Sequence, residues 1–237
     1  MIPEPKVSIV IPVYNEEGIL HSAVVDLRER LAPLGFPYEI LLAENGSRDG
    51  TVTVANELST RYPEVTLLSV AEPNYGLALR TGIRAARGRF VVCDEIDLCD
   101  VGFYQRALEL LEDGRTEMVI GSKLIAGASD ERPLFRHAAS VVYTGALRLL
   151  FDFRGSDTHG LKAFRRERVA PIAEACLTDK DVYASELVIR AYRAGVAIEE
   201  IPLRVVEKRP PSINLLKRVP NVLKNLGRLA RAIHRTG

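Results

Sequence analysis

VSIVIPVYNEEGILHSAVVDLRERL, residues 7–31, sets the frame of the molecule. An apolar run at 7–14 is followed by Ile19, Leu20, Ala23, Val24, Leu27 and Leu31 at helical spacing, which predicts one strand leading into one helix. The same unit recurs outward along the chain. YEILLA (38–43) precedes a helix near 51–58, and VTLLSV (65–70) precedes a helix near 77–86. FVVCD (90–94) ends at a carboxylate before a helix near 103–111 and a strand at EMVIGS (117–122). After the polar stretch GASDERP (127–133) come helices near 136–151 and 182–193 and a strand at AIEEIPLRVV (197–206). Strands alternating with helices predict an α/β fold whose central sheet is mostly parallel, with helices on both faces.

The chain's 237 residues suit one large domain with a short appendage. Residues 1–212 read as the domain and 213–237 as a C-terminal segment. Hydrophobic residues at 47% and charged residues at 27% describe an ordinary globular composition rather than a disordered one. A formal net charge of +1 argues against a dedicated nucleic-acid binder. Cys93, Cys99 and Cys176 form neither a disulfide framework nor a zinc pattern, which favours a reducing cytoplasm. No leader-like segment opens the chain and no run reaches the roughly 18 apolar residues of a spanning helix, so the expected location is cytoplasmic.

Open α/β sheets bind ligands beyond the carboxyl ends of their strands. The first strand runs into Pro12-Val13-Tyr14-Asn15-Glu16-Glu17 and the second into Glu44-Asn45-Gly46-Ser47-Arg48-Asp49-Gly50-Thr51. Neither is a glycine-rich phosphate loop of the dehydrogenase or P-loop type. The fourth strand ends in Asp94-Glu95-Ile96-Asp97-Leu98-Cys99-Asp100, with four carboxylates in seven residues. Such crowding is relieved by a hard divalent cation with oxygen ligands, or the stretch is a solvated acidic turn capping the next helix.

The ordered set VSIVIPVYNEE, ENGSRDGT, NYGLALRTGIRAARG, the Glu95-Ile96-Asp97 element, IGSK (120–123), Arg136 with Ser140, DTHGLKAFRR (157–166), ASELVIRA (184–191) and EIPLRVVEKRPPS (200–212) resembles a family 2 glycosyltransferase of GT-A fold. The resemblance is to enzymes of the dolichol-phosphate mannose synthase type and covers nearly the whole chain. It implies inverting transfer of a hexose, with mannose favoured, from a nucleotide sugar to a polyprenyl or dolichyl phosphate. GDP-mannose is the implied donor, with a UDP-sugar as the other possibility, and Mg2+ or Mn2+ is the implied cofactor.

Position by position, the resemblance nominates Pro12, Tyr14, Glu16, Glu44, Gly76, Arg80, Glu95 and Lys123 for donor binding, and Glu95 with Asp97 for the metal. Asp97, Arg136, Ser140, Asp157 and Arg209 are nominated for catalysis and acceptor handling. The chain departs from the family pattern with Glu44 and Glu95 in place of Asp, Cys99 in place of Gln, and Lys123 in place of Arg. A thiol suits a hard cation poorly, and Lys binds phosphate as a point charge rather than a fork. If the acceptor is a lipid phosphate, its second pKa of about 6 leaves it ionised, so the chemistry needs cations rather than a base. A hydroxyl acceptor would instead need a carboxylate base, for which Asp179, Asp181 and Glu186 are the candidates, although capping and facing solvent at a helix start is the simpler role for them. A sugar-nucleotide-binding module without catalysis is a third reading. His159 reads as orienting its loop, and Cys93 and Cys176 as core.

Residues 213–237 carry Lys217, Arg218, Lys224, Arg228, Arg231 and Arg235 and no acidic residue. Leu215, Leu216, Val219, Val222, Leu223, Leu226, Leu229 and Ile233 supply an apolar stripe. The pattern predicts a basic amphipathic helix restarted at Pro220, either packed on the sheet or holding the enzyme on the cytoplasmic face of an anionic membrane.

Overall fold

Strand β1 (Val7–Val13) lies between two apolar layers. Val7, Ile9, Ile11 and Val13 enter one cluster and Val10 enters the other, as the two-residue period of a strand covered on both faces requires. The computed structural model describes residues 4–131, 134–205 and 219–234. Strand β2 (Tyr38–Asn45) pairs parallel to β1, with Val7 opposite Tyr38 and Val13 opposite Glu44, and β3 (Val65–Val70) pairs parallel to β2. On its other side β1 pairs parallel to β4 (Phe90–Cys93).

The far half of the sheet holds β5 (Met118–Ser122) and β8 (Ile198–Pro202), parallel to each other. Between β4 and β5 runs β7 (Lys162–Arg165), antiparallel to both, so the order is β3-β2-β1-β4-β7-β5-β8. The sheet is mostly parallel as expected, and β7 is the strand that apolar patterning did not single out. A second sheet pairs β6 (Ser129–Asp130) with β9 (Arg204–Val205). The strand expected over 197–206 is therefore two strands in two sheets. They part at Leu203, whose amide donates to the Ser122 carbonyl at 3.0 Å while its side chain is buried.

Helices α1 (Glu17–Leu31), α2 (Thr51–Arg61) and α4 (Val101–Asp113) bury their apolar faces in the first cluster. The opposite cluster takes α3 (Tyr75–Ala85), α5 (Leu134–Phe151), α6 (Arg166–Ala175), α7 (Tyr183–Arg193) and α8 (Val219–His234). Each fully buried Leu, Ile or Phe in these layers contributes about 1.5–3 kcal/mol. α8 begins with Pro220 in its first turn, where a missing amide hydrogen costs nothing. Its Leu229 and Ile233 are buried in the second cluster with Leu226 packed against it, while Lys224, Arg228 and Arg231 are exposed; the side chains of Val219, Val222 and Leu223 lie outside the described part. Leu215, Leu216, Lys217, Arg218 and Arg235 lie outside the described residues. Among the described residues no helix is long and apolar enough to cross a membrane.

Candidate active site

The four carboxylates after β4 divide into two kinds. Asp94 is buried and accepts hydrogen bonds from the Tyr104 hydroxyl, the Glu95 amide and, at 3.1 Å, the Asp100 amide. Burial pushes its carboxyl up to about 7, against the pull of those donors. Asp100 caps α4, its Oδ1 accepting from the Phe103 amide at 3.0 Å. Ile96 and Cys99 are buried in the first core cluster, and Cys99 takes a positive φ of 44° with its thiol donating to the Ile96 carbonyl at 3.5 Å. This wiring turns Glu95 outward as an exposed side chain and leaves Asp97 half-buried beside it.

Two outward carboxylates suit a hard cation that takes its remaining ligands from water and substrate phosphates, the usual habit of Mg2+. Among the described residues no group of three or more His, Cys, Asp and Glu side chains is assembled for a metal. Cys99, aimed into its own turn, is not placed to add a ligand, and Asp100 has one oxygen engaged as the helix cap.

The neighbouring edge is built by the loops after β1 and β2, which fasten to each other. The Asn15 amide donates to Ser47 Oγ at 3.0 Å, the Arg48 amide to Asn15 Oδ1 at 2.8 Å, and the Glu16 amide to Thr51 Oγ1 at 2.7 Å. Pro12 is half-buried within β1, Tyr14 stands 40% exposed just past its end, and Glu16 is half-buried. Glu44 is buried, with one oxygen accepting from the Ser47 amide and the other from Ser69 Oγ at 3.0 Å. Its carboxylate props the turn in which Gly46 takes φ 68°, where a Cβ would come within 3.0 Å of the Glu72–Pro73 backbone.

Gly76 and Arg80 lie on α3 against the loop that precedes α7. A Cβ at Gly76 would come within 2.6 Å of Tyr183 Cβ, so only glycine admits that contact. Arg80 donates to the carbonyls of Cys176 at 2.9 Å and Thr178 at 2.8 Å, with its guanidinium 5.1 Å from the Tyr183 ring. Asn74 caps α3 and accepts from the Lys180 amide, while its own amide donates to Asp179 at 3.0 Å.

Because β7 runs antiparallel, the segment entering it arrives at the same sheet edge where β4 and β5 end. Lys162 lies opposite both Cys93 and Ile120, and Asp157 precedes it. Lys123 Nζ donates to Asp157 Oδ2 at 2.6 Å, and the His159 amide donates to Asp157 Oδ1 at 2.8 Å. Burial works to raise the Asp157 carboxyl, but the Lys123 ammonium and the His159 amide outweigh it and hold the group below the usual range. Lys162, buried beneath the edge, donates to the Gly160 carbonyl at 2.8 Å. Burial lowers its pKa, with Asp157 and Glu95 among the charges opposing that shift. Sequence reasoning passed over Lys162, and the available signal was a lysine among apolar residues in GLKAF.

The segment is held from outside by α5, where Tyr143 meets Ser185 Oγ at 3.0 Å, Thr144 donates to the Ser156 carbonyl at 3.1 Å, and the Tyr143 and His159 rings stand 5.3 Å apart edge to face. The Ser156 amide donates to Glu200 at 2.7 Å. Ser140 lies one turn before Thr144 on the inward side of α5, half-buried. Arg136 belongs to the first turn of the same helix and its side chain lies outside the described part, as does the whole of Arg209. Glu95, Asp97, Lys123, Asp157 and the loops bearing Tyr14, Glu16 and Glu44 thus share one edge, while Gly76 and Arg80 contact the loop before α7.

Residues 8–170 match the model of glycosyl transferase family 2. The chain is 28% identical over 219 residues to Glycosyltransferase AglD of Haloferax volcanii, covering 90% of this chain and 35% of that protein. It is 28% identical over 229 residues to the dolichyl-phosphate beta-glucosyltransferase of Drosophila melanogaster, covering 86% of this chain and 68% of that protein. The chain thus spans about a third of the first relative and about two thirds of the second. Its fold is that of glucosyl-3-phosphoglycerate synthase from Mycobacterium tuberculosis, crystallised with Mn2+, UDP and phosphoglyceric acid, at a TM-score of 0.67 and 21% identity over 95% of this chain and 78% of that one. With the matched region covering most of its length, the chain belongs to glycosyl transferase family 2.

Proposed function

We propose that this chain moves a hexose, with inversion, from a nucleoside diphosphate sugar to a polyprenyl phosphate, using Mg2+ or Mn2+ at Glu95 and Asp97. The observation that supports the reading is the division of the carboxylates after β4: Asp94 and Asp100 are engaged within the turn while Glu95 is exposed and Asp97 half-buried, at the end of a strand that pairs with β1. Bound there, the cation would offset the charge that builds on the diphosphate as the glycosidic bond breaks. Pro12, Tyr14, Glu16 and Glu44 would form the nucleotide side of the pocket, with Glu44 acting through the turn it props. Lys123 and Asp157 would fix the far side, and Arg136, Ser140 and Arg209 would meet the acceptor phosphate.

Of the proteins named above, one is a dolichyl-phosphate beta-glucosyltransferase and one was crystallised with UDP, which favours a UDP-hexose over the GDP-mannose that the sequence resemblance implied. A phosphate acceptor agrees with the surroundings of Glu186. It is wholly buried, accepting from the amides of Leu177 at 2.9 Å and Thr178 at 2.6 Å and from Arg190 at 2.7 Å, and so is built in as structure rather than offered as a base. The expected workplace is the cytoplasmic face of a membrane.

The test is transfer of labelled hexose from UDP- and GDP-sugars to polyprenyl phosphate with Mn2+, read as label extracted into organic solvent. Label in the lipid phase is the expected result. Donor turnover to a soluble hydroxyl acceptor, with none in the lipid phase, would contradict the reading. Arg136→Ala should lower turnover at least about tenfold while changing donor affinity less than about twofold, since a lost charge-assisted contact in the transition state costs about 1.4 kcal/mol or more.

A further inference from the structure

We infer that Glu200 is a positioning residue for the candidate site, acting through the hydroxyls of Ser156 and Ser122 on the backbone that carries Asp157 and Lys123; the inference deepens the glycosyl-transfer reading and rests on it. Glu200 is the middle residue of β8 and is half-buried. Its Oε1 accepts from the Ser156 amide at 2.7 Å and its Oε2 from the Ser156 hydroxyl at 2.5 Å. The Ser156 hydroxyl in turn meets the Ser122 hydroxyl at 2.6 Å, and Ser122 Oγ accepts from the Leu124 amide at 3.1 Å. Both serines are buried.

Counting protons fixes the direction of this chain of contacts. A carboxylate only accepts, so Ser156 gives its one hydroxyl proton to Glu200. The contact between the serines therefore runs from the Ser122 proton to a Ser156 lone pair, and Ser122 keeps lone pairs for the Leu124 amide. Every donor ends on an acceptor, and the last acceptor is a charge, which makes such bonds shorter and about twice as strong as neutral ones. Among the described residues the Glu200 carboxylate has no ion pair and no other hydrogen bond, so its charge serves this segment. Gly155 makes room for the approach: a Cβ there would come within 2.8 Å of Glu200 Oε1 and 2.5 Å of the Phe153 ring.

The serines stand beside the two charged residues of the site edge. Ser122 and Leu124 flank Lys123, and Ser156 precedes Asp157. The ion pair joins the tips of the Lys123 and Asp157 side chains, but a lysine stem is long and flexible and does not by itself fix where the pair lies. The serine link fixes the two backbones from which those side chains rise. The end of β5 and the segment entering β7 are thereby both registered against β8, and Glu200 sets where Lys123 and Asp157 stand along the edge.

The test compares full-length wild type with Glu200→Gln and Ser156→Ala. Gln keeps the size of Glu but turns an NH2 group toward one of the two Ser156 donors, so the chain of contacts must reverse or break. Ser156→Ala cuts the link between Glu200 and Ser122 while keeping the amide contact, and it decides the matter if the Gln variant fails to fold. In hexose transfer, kcat should fall at least about tenfold in either variant, while UDP affinity with Mn2+ changes less than about threefold. Added to Asp157→Asn, either change should lower kcat by less than about a further twofold, because a residue acting through Asp157 then has nothing left to place. The Asp157 carboxyl, followed by carbon NMR across pH, gives a readout that needs no substrate. Its titration should move up toward the ordinary carboxylate range in both variants as its grip on Lys123 loosens, whereas loss of the Glu200 charge alone would lower it. Wild-type kcat in the folded variants, full additivity with Asp157→Asn, or an Asp157 titration that is unmoved or lowered overturns the inference. If wild type transfers no hexose to polyprenyl phosphate, the transfer reading falls and the Asp157 titration still decides the positioning role.

Discussion

Lys123 and Asp157 form a buried ion pair, Nζ to Oδ2 at 2.6 Å, that ties the end of β5 to the segment entering β7. Their side chains are only 9% and 4% exposed. The pair matters because β7 is the antiparallel strand in an otherwise parallel sheet, and its entry segment reaches the site edge only if something holds it there. Lys in place of the family's usual Arg gives a compact charge that fits against a single carboxylate oxygen.

Lys123→Met should therefore destabilise the protein by about 3–5 kcal/mol at pH 7, the cost of leaving a buried charge without its partner. Asp157 is held below the usual carboxylate range, so its contribution is fully present above a pH of about 4 and is lost as pH falls through the lower folded value. In the variant the unpaired carboxyl favours its protonated form. The stability gap between wild type and variant, measured by denaturant unfolding, should be widest near neutrality and narrow on acidification. A gap independent of pH would show that the pair does not control Asp157.

Gly160 should tolerate no side chain. A Cβ there would overlap the Gly121 carbonyl oxygen where the 157–161 segment crosses the end of β5. Gly160→Ala should cost at least about 4 kcal/mol, in the range reserved for backbone clashes and cavities. Thermal melting equal to wild type would mean that the crossing is looser than described.

Glu186→Gln should weaken the loop before α7 without removing chemistry. It softens hydrogen bonds to two amides and Arg190, each charge-assisted bond contributing about 1.5–3 kcal/mol. Melting temperature should fall, while kcat at a temperature where the variant is folded should stay within about threefold. Loss of kcat with unchanged stability would return Glu186 to the role of base.

Much of this architecture could be read from the chain because β1, β2, β4 and β5 are buried on both faces and stand out as apolar runs, and the edge strand β3 keeps enough apolar residues to be seen. Strand β7 could not, since KAFR is four residues long and begins with a lysine whose place beneath the site depends on pairing with both β4 and β5. The split of 197–206 at Leu203 was hidden for the same reason: the second sheet it enters is made by a distant dipeptide, Ser129–Asp130. At the site, the carboxylate cluster was visible, but its division of labour was not. Asp94 is claimed by Tyr104, ten positions on and one helix away. The resemblance assigned Glu44 to donor binding, and the geometry adds its grip on Ser47 and Ser69, which only the folded loops reveal.

The central claim is that Glu95 and Asp97 hold the metal through which the nucleotide binds. Calorimetric titration of UDP into wild type and Asp97→Asn, each with Mn2+ and each with chelator, tests it most directly. The account predicts tight binding only for wild type with Mn2+, and at least about tenfold weaker binding both in chelator and in the variant, whose fold and melting temperature should persist because Asp97 lies at the half-buried rim. Equal affinity in all four titrations would contradict it.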